Sequence, residues 1–146
     1  MSSKNYTVSI SVNKTPKEAY DAIRDVKAWW VGEVKGDGSE VGSQFNFRYK
    51  HYHDSTQKVT ELVPNEKVVW RVEDVGVSAI NEWKGTKIVF EIMPKGKETE
   101  IVFTHHGLTR QSECYDACSG GWDFYITQSL KNLITNGQGI DPKFGE

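Results

Sequence analysis

Apolar and polar residues alternate over long stretches of this chain, and a period of two is the mark of a half-buried strand. Residues 6–12 put Tyr6, Val8, Ile10 and Val12 on one face and Thr7, Ser9 and Ser11 on the other. Residues 44–50 put Phe45, Phe47 and Tyr49 together. Residues 57–63 form a further strand, closed by the turn signal Pro64-Asn65-Glu66, and residues 67–73 follow with Val68, Trp70 and Val72 on one face. Residues 82–93 carry Ile88, Phe90 and Ile92 in alternation. A hairpin turn over residues 94–97 returns the chain through 98–106, where Ile101, Phe103 and His105 share a face, and Gly107 is expected to end that strand. Residues 51–55 read as a turn, 74–81 as an irregular connection, 32–42 as loop or short strand, and 108–118 as a polar connection.

Two stretches have helical spacing instead. Thr15-Pro16-Lys17-Glu18 is a helix start: Thr15 as N-cap, Pro16 where a missing N–H costs nothing, and Glu18 in reach of the cap amide. Ala19, Ala22, Ile23 and Val26 then share a face. That helix is expected to end near residues 25–27, with a further short turn over 28–31 packing Trp29 and Trp30 against the sheet edge. The second stretch, residues 119–137, places Trp122, Tyr125, Ile126, Ser129, Leu130 and Leu133 on one face, with Ser119 as N-cap and Gly137 as the left-handed stop. The tail after Gly139 has little to hold it, although Phe144 is a candidate to dock. The order predicts an α+β domain: a curved antiparallel sheet of about six strands wrapped around a long C-terminal helix, with two short helices after the first strand. One domain is expected over residues 1–146, with its core at about 6–137.

Composition adds one positive hint and several exclusions. Five Trp, six Tyr and six Phe are more ring area than a domain of 146 residues needs, which tilts the reading toward a pocket. The net charge of −2 comes with no basic cluster, so nucleic-acid binding has no electrostatic support. No apolar run approaches the roughly 20 residues of a membrane span, and the N-terminal residues lack the apolar core of a signal peptide. The default expectation is therefore a cytoplasmic protein with no membrane contact. Two cysteines, Cys114 and Cys118, are too few for a disulfide framework, and their spacing alone makes no zinc site; they are expected to be free thiols.

If the alternation is read inward, Trp30, Phe45, Phe47, Tyr49, Trp70, Phe90, Phe103, His105, Trp122, Tyr125 and Ile126 face the space between sheet and helix and form the candidate ligand-binding set. His105 reads as a polar handle, as a general acid or base, or as a hydrogen-bonded structural histidine. His51 and His53 read as a solvated turn, since no carboxylate or thiol completes a metal site around them. Arg48, Arg71 and Glu82 sit on solvated strand faces, whereas Glu61 shares a face with Val59 and Val63 and is a second candidate to point inward. No motif assigns a catalytic residue, a metal or a cofactor.

The element order is similar to the helix-grip fold of the START, Bet v 1 and polyketide-cyclase superfamily, also called SRPBCC. Trp29-Trp30, the run from Val63 to Trp70, Trp83-Lys84-Gly85-Thr86, Phe103-Thr104-His105-His106-Gly107-Leu108 and Gly121-Trp122 resemble the family of the C-terminal domain of the activator of Hsp90 ATPase. The resemblance covers about residues 6–137. It implies a deep cavity between sheet and C-terminal helix, which in the wider superfamily takes apolar molecules. The expected function is non-catalytic binding of a small apolar or amphipathic molecule there. Two alternatives stay open: a cyclase- or hydrolase-type enzyme using His105 or Glu61, and a co-chaperone-like module that contacts a chaperone. The eukaryotic co-chaperone has a further N-terminal domain for which these residues leave no room. Ligand identity and oligomeric state stay open.

Overall fold

A computed structural model describes residues 4–143. Its sheet has seven strands, β1 (Asn5–Val12), β2 (Glu33–Gly36), β3 (Gln44–Tyr49), β4 (His53–Val63), β5 (Lys67–Val75), β6 (Lys87–Lys95) and β7 (Glu98–Thr109). Their order across the sheet is β1-β7-β6-β5-β4-β3-β2, every neighbouring pair antiparallel. Helices α1 (Pro16–Arg24) and α2 (Val26–Trp29) follow β1, and a 3-10 turn over Ser78–Trp83 precedes β6. The C-terminal helix runs through α3 (Tyr115–Phe124), a π-helical stretch Tyr125–Leu130 and α4 (Lys131–Asn136), with helical dihedrals at both junctions. This is the helix-grip arrangement. The strand beyond the expected six is β2, a short edge strand inside the stretch read as loop or short strand. Among the described residues no helix is long and apolar enough to cross a membrane.

Local chemistry accounts for the element ends. Thr15 Oγ1 accepts from the Glu18 amide at 3.1 Å, and Pro16 opens α1. Such a cap is worth about 1 kcal/mol. Glu18 lies 4.0 Å from Lys14 through its carboxylate. Gly137, at φ 86°, closes α4 in the left-handed conformation that glycine adopts without strain.

Several expectations are corrected. Trp29 and Trp30 do not sit at the sheet edge; they are buried over its middle, with ring centroids 6.2 and 6.0 Å from that of Trp70 on β5. Residues 53–55 belong to β4, because the turn is complete at 50–52 with Lys50 at φ 50°. His53, Ser55, Gln57 and Val59 therefore alternate toward the core. A bulge between Val59 and Glu61 then reverses the alternation. It turns Glu61 outward, where its carboxylate lies 3.7 Å from Lys67. Strand β6 starts at Lys87, five residues later than expected, since Trp83 folds back in the 3-10 turn. Gly107 lies inside β7, not at its end.

The C-terminal helix begins at Tyr115, with Cys114 as N-cap, so Ser119 does not cap it and Gly120-Gly121 lie within it. Its buried face holds Tyr125 and Ser129 beside a row at a spacing of four, Cys118, Trp122, Ile126, Leu130 and Ile134. An α-helix drifts by about 40° at each such step. The wider π turn absorbs that drift, which is why Ile134 and not Leu133 completes the face. Cys114 and Cys118 are not free thiols; they are joined as a disulfide. The start of the tail is held: the Ile140 amide donates to Ser129 Oγ at 2.8 Å, and Ser129 Oγ donates to the Trp29 carbonyl at 2.6 Å. Phe144 lies outside the described residues.

Candidate functional site

The seven strands curl around the C-terminal helix, but they do not fill the space beneath α3. A cavity of about 740 Å³ opens there. Trp30 forms its floor with Phe47 and Tyr49 from β3. The β3–β4 turn contributes Tyr52, the start of β4 contributes His53, and the 3-10 turn contributes Ala79, Ile80 and Trp83. The helix supplies Cys114, Asp116, Ala117, Cys118, Gly120, Gly121, Trp122 and Tyr125. The wall is mostly aromatic: Trp30 stacks on Phe47 at 4.1 Å, Trp83 stacks on Trp122 at 5.6 Å, and Trp30 meets Trp122 at 5.0 Å.

Of the residues expected to form the site, Trp30, Phe47, Tyr49, Trp122 and Tyr125 line this cavity. Phe45, Trp70, Phe90, Phe103 and Ile126 are buried in the core and do not line the cavity. Away from the cavity, Trp70 and Phe90 pack on Trp29, Phe45 packs on Trp70, and Phe103 meets Trp122 on the helix. His105 sits behind the wall. The Trp122 Nε1–H donates to its Nδ1 at 3.1 Å. Its Nε2 lies 2.8 Å from Thr86 Oγ1, and that hydroxyl donates to the Trp83 carbonyl. With Nδ1 accepting and Thr86 already donating, the proton must sit on Nε2. Burial, with lesser repulsion from His53 and His106, holds the His105 imidazolium down at about 3, so the ring is neutral and both its nitrogens are engaged.

Trp83 and His53 are among the wall residues that the sequence reading missed. Trp83 hid in a stretch read as the start of a strand. His53 would have emerged had the alternation Val59, Gln57, Ser55 been followed one step further back. Its Nε2 lies 2.7 Å from Ser55 Oγ, which also accepts from Gln57 Nε2. Burial lowers the His53 pKa to about 4, so it presents an uncharged ring. The Gln57 Oε1 at the inner end of this polar row is buried without a hydrogen-bond partner. Tyr125 donates its hydroxyl to the Val31 carbonyl at 2.9 Å, and burial raises its pKa.

Gly120 and Gly121 have a different character. Neither has a positive φ, and a Cβ built on either meets nothing within 4 Å. No steric need explains two glycines inside a helix, where each is unfavourable by about 0.5–1 kcal/mol relative to alanine. What they leave is room in front of the aromatic wall. Among the described residues no three His, Cys, Asp or Glu side chains group closely enough to hold a metal ion.

A family model described as activator of Hsp90 ATPase homolog 1-like protein matches residues 15–135. Among solved structures, the Aha1 dimer from Colwellia psychrerythraea is similar over 93% of this chain and 99% of that one, with 27% identity and a TM-score of 0.76. A protein of Nitrosospira multiformis matches over 92% and 98% of the two chains, at 12% identity and a TM-score of 0.72. Protein MLL2253 from Mesorhizobium loti matches over 88% and 96%, at 17% identity and a TM-score of 0.68. The latter two likenesses are of fold alone. No curated protein matches the chain in sequence.

Proposed function

We propose, from the premise that the chain belongs to the activator of Hsp90 ATPase homolog 1-like family, that it is a single domain which binds a small, uncharged, aromatic or amphipathic molecule beneath α3 without transforming it. The observation that carries this reading is the cavity of about 740 Å³ walled by Trp30, Phe47, Trp83, Trp122 and Tyr125. Its volume falls in the usual range of small-molecule sites, roughly 300–1,000 Å³. Flat rings favour flat ligands by stacking and edge contacts. His53 offers a neutral hydrogen-bonding group, which suits a hydroxyl or carbonyl better than a charged head.

The enzymatic alternative has less to work with. His105 has no free nitrogen, and Glu61 faces away from the cavity. His53 is the imidazole at the wall, and a base with a pKa of about 4 takes up a proton weakly at neutral pH. A chaperone contact rests on the family description alone. The large exposed apolar side chains among the described residues, Val41, Tyr52 and Met93, are in the β2–β3 connection, the β3–β4 turn and β6.

The test is native mass spectrometry of the purified protein, followed by calorimetric titration with a panel of uncharged bicyclic and tricyclic aromatics. The expected result is one bound molecule per chain, with affinity lost in Phe47→Asp. A panel that yields no saturable heat, on protein stripped of any co-purified compound, refutes the reading.

A further inference from the structure

The ligand reading leaves two cavity atoms unused, the sulfurs of the C-terminal helix. Cys114 and Cys118 are joined as a disulfide, with Cα atoms 5.5 Å apart and a sequence separation of 4. Both line the cavity. A bond that closes so short a loop restricts the unfolded chain far less than one that closes a long loop. It also joins two residues that the helix already holds together, since the Cys118 amide donates to the Cys114 carbonyl at 2.7 Å. Stapling the fold is therefore a poor account of it.

The surroundings of the two sulfurs differ. Cys114 is half-buried and sits at the N-cap of α3, where the unpaired amides of the first turn favour negative charge. Cys118 is buried, and the Trp83 Nε1–H is aimed at its Sγ at 3.3 Å. A donor held at a sulfur stabilises the thiolate over the thiol. One sulfur is thus accessible from the cavity, and the other is prepared to leave as an anion.

We propose that the Cys114–Cys118 pair is a thiol–disulfide exchange site that opens into the cavity and takes a low-molecular-weight thiol as its partner. The incoming thiolate attacks Sγ of Cys114, the S–S bond breaks, and Cys118 leaves as a thiolate beneath the Trp83 N–H. A second thiol then attacks the small-molecule sulfur of the mixed disulfide and releases Cys114. One protein disulfide and two thiols become one protein dithiol and one small-molecule disulfide. Two electrons pass to the protein, and the two thiol protons end on Cys114 and Cys118. The site needs only that Cys114 be reachable from the cavity, and it stands whatever else the cavity holds.

The test uses the full chain under native conditions, with reduced and oxidised glutathione at varied ratios, alkylation as quench, and intact mass as readout. Wild type is expected to gain two alkyl groups without denaturant and to lose that reactivity again under oxidised glutathione. Cys118→Ser is expected to trap one glutathione on Cys114, and Cys114→Ser at least about tenfold less. Trp83→Phe keeps an aromatic ring but removes the donor, and is expected to slow reduction by about threefold to tenfold. Circular dichroism confirms that each variant is folded. Reduction that proceeds only at the rate of global unfolding overturns the proposal, even if a serine variant fails to fold. So does equal trapping by both serine variants.

Discussion

Replacing both Gly120 and Gly121 by alanine separates the two demands placed on α3. The glycines lie inside a helix, have no positive φ, and have open space where a Cβ would go. Alanine in both places should therefore stabilise the helix by about 1–2 kcal/mol, from propensity and from the smaller entropy of the unfolded chain. For a chain of this size that raises Tm by about 2–8 °C. Two methyl groups take little from about 740 Å³, so binding should change little in this variant. Gly121→Leu keeps most of the propensity gain but sends a branched side chain into the cavity. It should melt no lower than wild type while binding at least about tenfold more weakly, the equivalent of about 1.4 kcal/mol. Thermal melts and calorimetric titrations of wild type, the double alanine variant and Gly121→Leu, run side by side, measure both effects. A lower Tm for the double alanine variant refutes the claim that nothing opposes a side chain there. Undiminished binding by Gly121→Leu refutes the claim that the glycines keep the cavity open.

Three further outcomes follow from the packing and the charges. His53 and His105 have folded pKa values of about 4 and about 3 against 6.5 for the free side chain, so the unfolded state binds more protons between those limits and stability falls as pH is lowered from 6.5. Each proton contributes a slope approaching about 1.4 kcal/mol per pH unit, so denaturant melts from about pH 6.5 to pH 5 should lose roughly half of their histidine-dependent slope in His105→Gln, and an unchanged slope refutes the assignment. Ser129→Ala strands both the Trp29 carbonyl and the Ile140 amide, and should lower stability by about 2 kcal/mol or more in urea melts; a loss below about 0.5 kcal/mol contradicts it. Ending the chain at Glu113 removes buried Trp122, Tyr125, Ile126, Leu130 and Ile134, worth about 10 kcal/mol at the upper end and so comparable with the stability of a whole domain. That fragment should show no cooperative melt.

The sheet was legible because burial of one face enforces a period of two. Phe45, Phe47 and Tyr49 on β3, or Ile101, Phe103 and His105 on β7, have one direction in which to point. What the pattern does not carry is depth along a strand: Phe45 and Phe47 read alike, yet Phe47 meets the cavity and Phe45 packs against Trp70 at 4.9 Å. Insertions that change phase were invisible too. The bulge after Val59 turned Glu61 outward, and the π turn moved the last buried helix position from Leu133 to Ile134. Neither leaves a local signature, because each is set by what the neighbouring element needs. Cys114 and Cys118 show the same limit. A spacing of four on a helix brings two sulfurs together without saying whether they bond.

All five tryptophans of the chain are buried, and their rings form one connected set. Trp29 and Trp30 stack on each other and on Trp70, Trp30 meets Trp122, and Trp122 stacks on Trp83, with every centroid step between 5.0 and 6.2 Å. At such separations an excitation does not stay on the indole that absorbed it. It migrates through the set, and some of it reaches Trp83, whose N–H touches Cys118 Sγ. The protein is therefore expected to emit as one chromophore with its far end at a disulfide, a group that quenches excited indoles by accepting an electron. Reduction of that bond should brighten the emission of the whole protein, including light first absorbed at Trp29 on the other side of the core.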